Sequence, residues 1–302
     1  MLTLLLFFAV DFSKFEAVMG SLPAPERAPP VVEVIAEVPL EAGLIRRQIV
    51  FIARDGDRVP AYLFLPAAKG KRPAMLCLHQ TTRIGKGEPA GIGGKPDLAY
   101  AIELARRGYV TLAPDYPNFG DYAFDPYAHG YASATMKGIT NHRRALDVLA
   151  AMPQVNAQRM GVIGHSLGGH NALFLAAFDR RVRVAVTSCG FTAFARYYAG
   201  DLTGWSHKGY MPRIASEYGK SPARMPFDFS DILAAIAPRA VFVNAPLHDA
   251  NFDVTGVRET VEKVKRRFRP ARLQVVHPDR GHEFPAEVRE EAYRFVDRQL
   301  LQ

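Results

Sequence analysis

Cysteine is nearly absent. The 302-residue chain has only Cys77 and Cys189, so a disulfide framework is excluded. No Cys/His pair stands at ligand spacing, which leaves no basis for a metal site. Each cysteine closes an apolar, strand-like run, the usual place for an inert buried thiol. Long hydrophobic runs are missing too. The N-terminal Met1–Val10 (MLTLLLFFAV) is interrupted by Asp11 and is too short to span a bilayer. It also lacks the basic flank and the small-x-small cleavage site of a secretory leader. The chain contains no internal repeat and no low-complexity segment. An acidic excess is absent as well: 38 Lys and Arg face 30 Asp and Glu, a net charge of +8. The basic residues are scattered, and the one dense cluster, Lys263–Arg272 (KVKRRFRPAR), reads as the solvated end of an amphipathic helix. Nucleic acid is therefore not expected as a partner.

What remains is an ordinary soluble composition, 48% hydrophobic and 23% charged, long enough to bury a large core. Residues 1–30 read as an apolar segment followed by a Pro-rich linker, and residues 31–302 as one domain. Met1–Val10 admits three readings: a degenerate leader, a helix packed on the body or on a second subunit, or a loose membrane contact. The packed helix is preferred. Ile45–Leu65 reads as a hairpin turning at Asp55-Gly56-Asp57. Strands follow at Pro73–His79, Tyr109–Pro114, Arg159–Ile163, Arg183–Ser188, Ala240–Ala245 and Leu273–His277. Helices are expected over Asp97–Arg107, Thr135–Met152, Leu167–Phe178, Val254–Phe268 and Pro285–Leu300. That alternation predicts an α/β fold, with a mostly parallel eight-strand sheet and helices on both faces. Chemistry in such sheets gathers beyond the carboxyl ends of the strands.

Gly164-His165-Ser166-Leu167-Gly168 sits between an apolar run and a helical run. A G-x-S-x-G pattern in that setting predicts a tight strand-to-helix turn that exposes the hydroxyl of Ser166. Glycines two residues to either side let the backbones of strand and helix approach. A serine needs a base, and His282 in DRGHEF lies on a loop after the last strand, in the chain order this architecture uses. The third member is a carboxylate that fixes the imidazole tautomer. Asp249 and Asp253 both follow the strand Ala240–Ala245; Asp249 comes sooner and is preferred, while Asp253 is suited to capping the next helix. Two backbone N–H groups must meet the oxyanion. Leu167 supplies one, and the loop after Pro73–His79 supplies the other, with Thr81 preferred to Gln80. Gln80, Trp205 and Tyr210 are candidate substrate contacts.

The motifs LCLHQTT, RRGYVTLAPDYPNFGD, GVIGHSLGGHN, TSCGF, APRAVFVNAPLHDANFD and HPDRGHEFP resemble the α/β-hydrolase superfamily over about Ile45–Leu300. Within it they resemble the branch of dienelactone-hydrolase-like and acetyl-xylan-esterase-like serine esterases. The resemblance implies an α/β-hydrolase fold, no metal or organic cofactor, and Ser166, Asp249 and His282 as nucleophile, acid and base. It further implies a short lid insertion over about residues 191–238, where Phe194, Tyr197, Tyr198, Trp205, Tyr210 and Met211 would wall the serine. Dienelactone hydrolases use cysteine where this chain has serine, and the propeller of the related oligopeptidases has no room here. The function expected is a carboxylesterase for small to medium acyl esters. The alternatives are an amidase or peptidase with the same triad, a membrane-surface lipase and a non-catalytic binding protein. The expected partner is a small-molecule ester, without stable membrane insertion. A homo-oligomer is left open, and a cytoplasmic location is expected.

Overall fold

The computed structural model describes residues 11–67 and 69–302. Met1–Val10, and the readings of that segment given above, lie outside the described residues. The chain opens with α1 (Ser13–Met19), whose Phe15, Val18 and Met19 are buried. Three antiparallel strands follow: β1 (Val32–Pro39), β2 (Ile45–Ile52) and β3 (Arg58–Leu65). Next come β4 (Arg72–Leu78), α2 (Tyr100–Arg106), β5 (Val110–Pro114), α3 (Ala134–Ala151), β6 (Val155–His165), α4 (Leu167–Phe178) and β7 (Val182–Ser188). The 191–238 insertion carries the short α5 (Arg213–Ser216) and α6 (Phe229–Ile236). The chain closes with β8 (Ala240–Asn244), α7 (Val254–Val264), β9 (Leu273–Val276) and α8 (Ala286–Leu300).

The sheet has nine strands in the order β1-β2-β3-β5-β4-β6-β7-β8-β9. β4 to β9 are mutually parallel, and β3 meets β5 antiparallel. The eight-strand expectation therefore falls one short. The added strand is β1, exposed along its whole length, and its period-two pattern breaks at the irregularity between Val34 and Ala36. Arg58 and Arg47 pin it through Glu33 at 2.5 Å and Glu37 at 2.6 Å. Those pairs, more than any buried face, record its position.

Hydrophobic spacing accounts for the layers. α2 and α8 pack their buried Tyr100, Leu104, Tyr293 and Phe295 on one face of the sheet. On the other, α1, α3, α4, α6 and α7 share one core. α4 is the central element, its residues from Leu167 to Ala177 all buried. The Pro-rich stretch expected as a linker lies on the body, where Arg143 and Arg144 donate to the carbonyls of Pro23, Ala28 and Pro29 at 3.0–3.3 Å. The chain leaves β4 for β5 on one side and returns to β6 on the other. The carboxyl ends of β4 and β6 thus flank a switch point, the place where open α/β sheets bind ligands.

Candidate active site

β6 ends at His165 and α4 begins at Leu167, so Ser166 alone makes the turn. Its backbone takes φ 53° and ψ −116°, a conformation that residues with a side chain adopt only where the surroundings impose it. The Ser166 N–H donates to the Ser188 carbonyl on β7 at 2.8 Å. A Cβ on Gly164 would lie 2.2 Å from the Gly168 carbonyl oxygen, and one on Gly168 would lie 2.0 Å from the Leu78 carbonyl oxygen. Neither contact is tolerable, so both positions require glycine. Ser166 is half-buried, and the first N–H groups of α4, Leu167 among them, have no partner within the helix.

His282 and Asp249 meet. Nδ1 of His282 lies 3.0 Å from both carboxylate oxygens of Asp249. Asp249 Oδ1 also accepts the N–H groups of Asn251 at 2.8 Å and Phe252 at 3.1 Å, which fixes the carboxylate independently of the histidine. Asp253 does otherwise: it caps α7, accepting from the Thr255 N–H at 2.6 Å. The His282 ring packs on that of His165, the residue before the serine, with centroids 4.8 Å apart.

On the β4 side, His79 is buried and bridges two loops. Its Nε2 accepts the Tyr116 N–H at 2.9 Å, so Nδ1 carries the proton and donates to the Gln80 carbonyl at 2.6 Å. Burial lowers its pKa, keeping the ring neutral. Because the Gln80–Thr81 peptide is planar and trans, turning its carbonyl toward His79 turns the Thr81 N–H the opposite way. The Gln80 side chain, expected at substrate, donates to Glu88 at 3.1 Å instead. Beyond it, the buried Lys86 ammonium binds Asp115 at 2.8 Å and Asp121 at 2.5 Å. Asp115 also accepts the N–H groups of Lys86 and Asp121 at 2.7 and 3.0 Å. The loop after β4 is thereby fastened to the loop after β5.

A polar row behind the histidine is absent from the sequence-based expectations. His165, Ser188 and Asn244 occupy one register row across β6, β7 and β8. Asn244 Nδ2 donates to Ser188 Oγ at 2.8 Å and to the carbonyl of Glu283, the residue after His282, at 2.9 Å. Ser188 Oγ meets His165 Nδ1 at 2.9 Å. Burial, aided by neighbouring His282, pushes the His165 pKa well below the usual range, so it adds no charge beside the base. These are positioning residues. The available signal was that polar residues close three apolar strands in succession. Donor atoms of His165, Cys189 and His282 also lie within 4.8 Å of one another. Burial pushes the Cys189 thiol up and keeps it protonated, and His282 is engaged with Asp249. The set therefore suits a hydrogen-bonded network better than a metal.

The expected aromatic wall divides. Trp205, offered as a substrate contact, is 2% exposed and packs among His170, Phe194, Phe229 and Phe252. It is core because α4 and α6 leave it no open face. Phe194 and Met211 are buried likewise, while Tyr198 stands in solvent. Tyr210 lies beside the loop after β4, its hydroxyl 3.4 Å from Thr81 Oγ1. Tyr116 and Tyr127 donate to the carbonyls of Gly209 and Lys208 at 3.1 and 2.6 Å, tying the insertion to the opposite loop.

The Prolyl oligopeptidase family model matches residues 97–301. YtaP of Bacillus subtilis (strain 168), described as a hydrolase, is 27% identical over 302 residues, 93% of this chain and 96% of its own. A glucuronoyl esterase from Solibacter usitatus superposes with a TM-score of 0.75 over 95% of this chain and 91% of its own, at 18% identity. An acetyl xylan esterase from Paenibacillus sp. R4 gives 0.66 over 90% and 89%, at 19% identity. At such identities the solved structures speak for the fold, which is that of an α/β-hydrolase.

Proposed function

The chain belongs to the Prolyl oligopeptidase family, and from that premise we propose that it is a serine carboxylesterase acting on small to medium acyl esters. The observation that carries this reading is the His282–Asp249 pair, 3.0 Å apart, packed on the residue that precedes a strained, glycine-flanked serine. In the proposed reaction His282 Nε2 takes the Ser166 proton as Oγ attacks the ester carbonyl. The Leu167 and Thr81 N–H groups receive the oxyanion. Collapse returns the proton to the leaving alcohol and leaves an acyl-serine, which water, activated by the same histidine, hydrolyses to the acid. Asp249 holds the imidazole with Nδ1 protonated and steadies its cation. Tyr210 beside Thr81 sets one wall for the substrate. Support for an ester over an amide comes from whole-chain likeness to a glucuronoyl and an acetyl xylan esterase.

The family's peptidase name supports a second reading, in which the same residues cleave an amide. Turnover of p-nitrophenyl acetate and of an aminoacyl p-nitroanilide separates the two. The expected result is a kcat/KM at least about tenfold higher for the ester. Faster cleavage of the anilide would replace the esterase reading with the peptidase one.

A further inference from the structure

A row of aromatic rings leaves the His282–Asp249 pair and ends in solvent. Between ring centroids, Phe252 lies 6.0 Å from His282, Tyr197 lies 5.9 Å from Phe252, and Tyr198 lies 4.8 Å from Tyr197. Exposure rises along the row: Phe252 is 7% exposed, Tyr197 is partly covered, and Tyr198 is 55% exposed. Among the described residues Tyr198 is the one Phe, Tyr or Trp that stands exposed. Two observations show that its ring is held there. Tyr198 and Ala199, neither of them glycine, both take left-handed backbone, at φ 43° and φ 54°. Such conformations persist only where the surroundings impose them, and they gather at ligand clamps. The Tyr198 hydroxyl also donates to Asn251 Oδ1 at 2.8 Å, and the Asn251 N–H is one of the two that hold Asp249. The exposed ring is thus pinned to the loop that carries the acid.

We propose that this row is the subsite for the leaving alcohol, and that the alcohol it takes is an extended, flat aromatic one. The inference rests on the esterase reading above. In that reaction His282 hands its proton to the leaving oxygen, which places that oxygen at His282, while the carbonyl oxygen turns to the N–H groups of Leu167 and Thr81. Whatever the leaving oxygen carries therefore continues past the base, and the row begins at the base. Flat rings meet one another offset or edge-on with a gain beyond the area they bury. The Tyr198 hydrogen is already committed to Asn251, so this residue offers a ring face rather than a donor, which favours an apolar ring over a polyol. A ring whose orientation is fixed beforehand also loses little freedom when a ligand covers it. One ring of the alcohol reaches Phe252 and Tyr197; a second, in line with the first, is needed to reach Tyr198. Tyr198 is in this account a specificity-determining residue, and Asn251, acting through it, a positioning residue.

Acetates of n-hexyl, benzyl and 4-phenylbenzyl alcohol, all primary alcohols of similar acidity, test this on the full chain. The wild type is expected to show its highest kcat/KM on the 4-phenylbenzyl ester. Tyr198→Ala should lose about three- to tenfold on that ester relative to the benzyl ester, the range of one aromatic contact. The loss should fall on KM more than on kcat, because the contact is made before and during the reaction alike. Tyr198→Phe keeps the ring without its pin and should lose less, and Asn251→Ala, which keeps the N–H on Asp249, should match it. Thermal unfolding of each variant checks that the body is intact. Titration with 4-phenylbenzyl alcohol, followed by saturation-transfer NMR, needs no turnover, and its affinity should fall in Tyr198→Ala by the same factor. Tyr198-dependent binding of this alcohol without cleavage of any of the esters would overturn the esterase reading and keep the row as a binding site. Cleavage of the esters with the same relative kcat/KM in wild type and Tyr198→Ala, or a wild-type preference for n-hexyl over 4-phenylbenzyl, would overturn the proposal.

Discussion

Asp249→Asn should lower kcat on a p-nitrophenyl ester by on the order of ten-thousand-fold, while Asp253→Asn should leave it within about twofold, since asparagine caps a helix as well as aspartate. The contrast follows from what each carboxylate does. Asp249 accepts two backbone N–H groups and the Nδ1–H of His282. An asparagine in its place keeps its carbonyl oxygen on the backbone amides and turns its NH2 toward the ring. Nδ1 must then accept, the proton moves to Nε2, and the nitrogen needed as base is blocked. Asp253 holds only the start of α7. Purified variants assayed at saturating substrate decide the matter, and equal losses, or the larger loss at Asp253, would reassign the acid.

The second large effect is on stability. Lys86→Met should destabilise the fold by about 3–5 kcal/mol, because it leaves the fully buried Asp115 carboxylate without its cation. For a chain of this size that is a fall of roughly 5–8 °C in Tm. Asp121→Asn removes the partner that stands in solvent, 66% exposed, and should cost within about 1 kcal/mol. Thermal unfolding of the three proteins tests the pair. An unchanged midpoint for Lys86→Met would mean that this ion pair does not fasten the loop carrying Thr81.

Some of this was legible in the residues and some was not, for identifiable reasons. The turn at Ser166 could be read because its glycine spacing is a steric requirement written directly into sequence. α4 was bounded correctly, Leu167–Phe178, because every residue between the turn and Asp179 suits burial. The choice between Asp249 and Asp253 rests on the direction a loop takes, which spacing alone does not encode. β1 escaped because its alternation is cut into two short pieces, Val32–Val34 and Ala36–Val38, at the irregularity beside Ile35, and no buried face marks it as a strand. Trp205 was misplaced because an aromatic in an insertion looks the same whether it faces substrate or core. The row His165–Ser188–Asn244 depends on sheet register, which appears only once the strands are aligned.

Intact-mass and peptide mapping after treatment with a fluorophosphonate test the central claim most directly, since the reagent captures a serine only when a base and an oxyanion site activate it. The account predicts a single adduct, on the peptide carrying Ser166, and none in a folded Ser166→Ala variant. An adduct on another residue, or no adduct in the folded wild type, would contradict it.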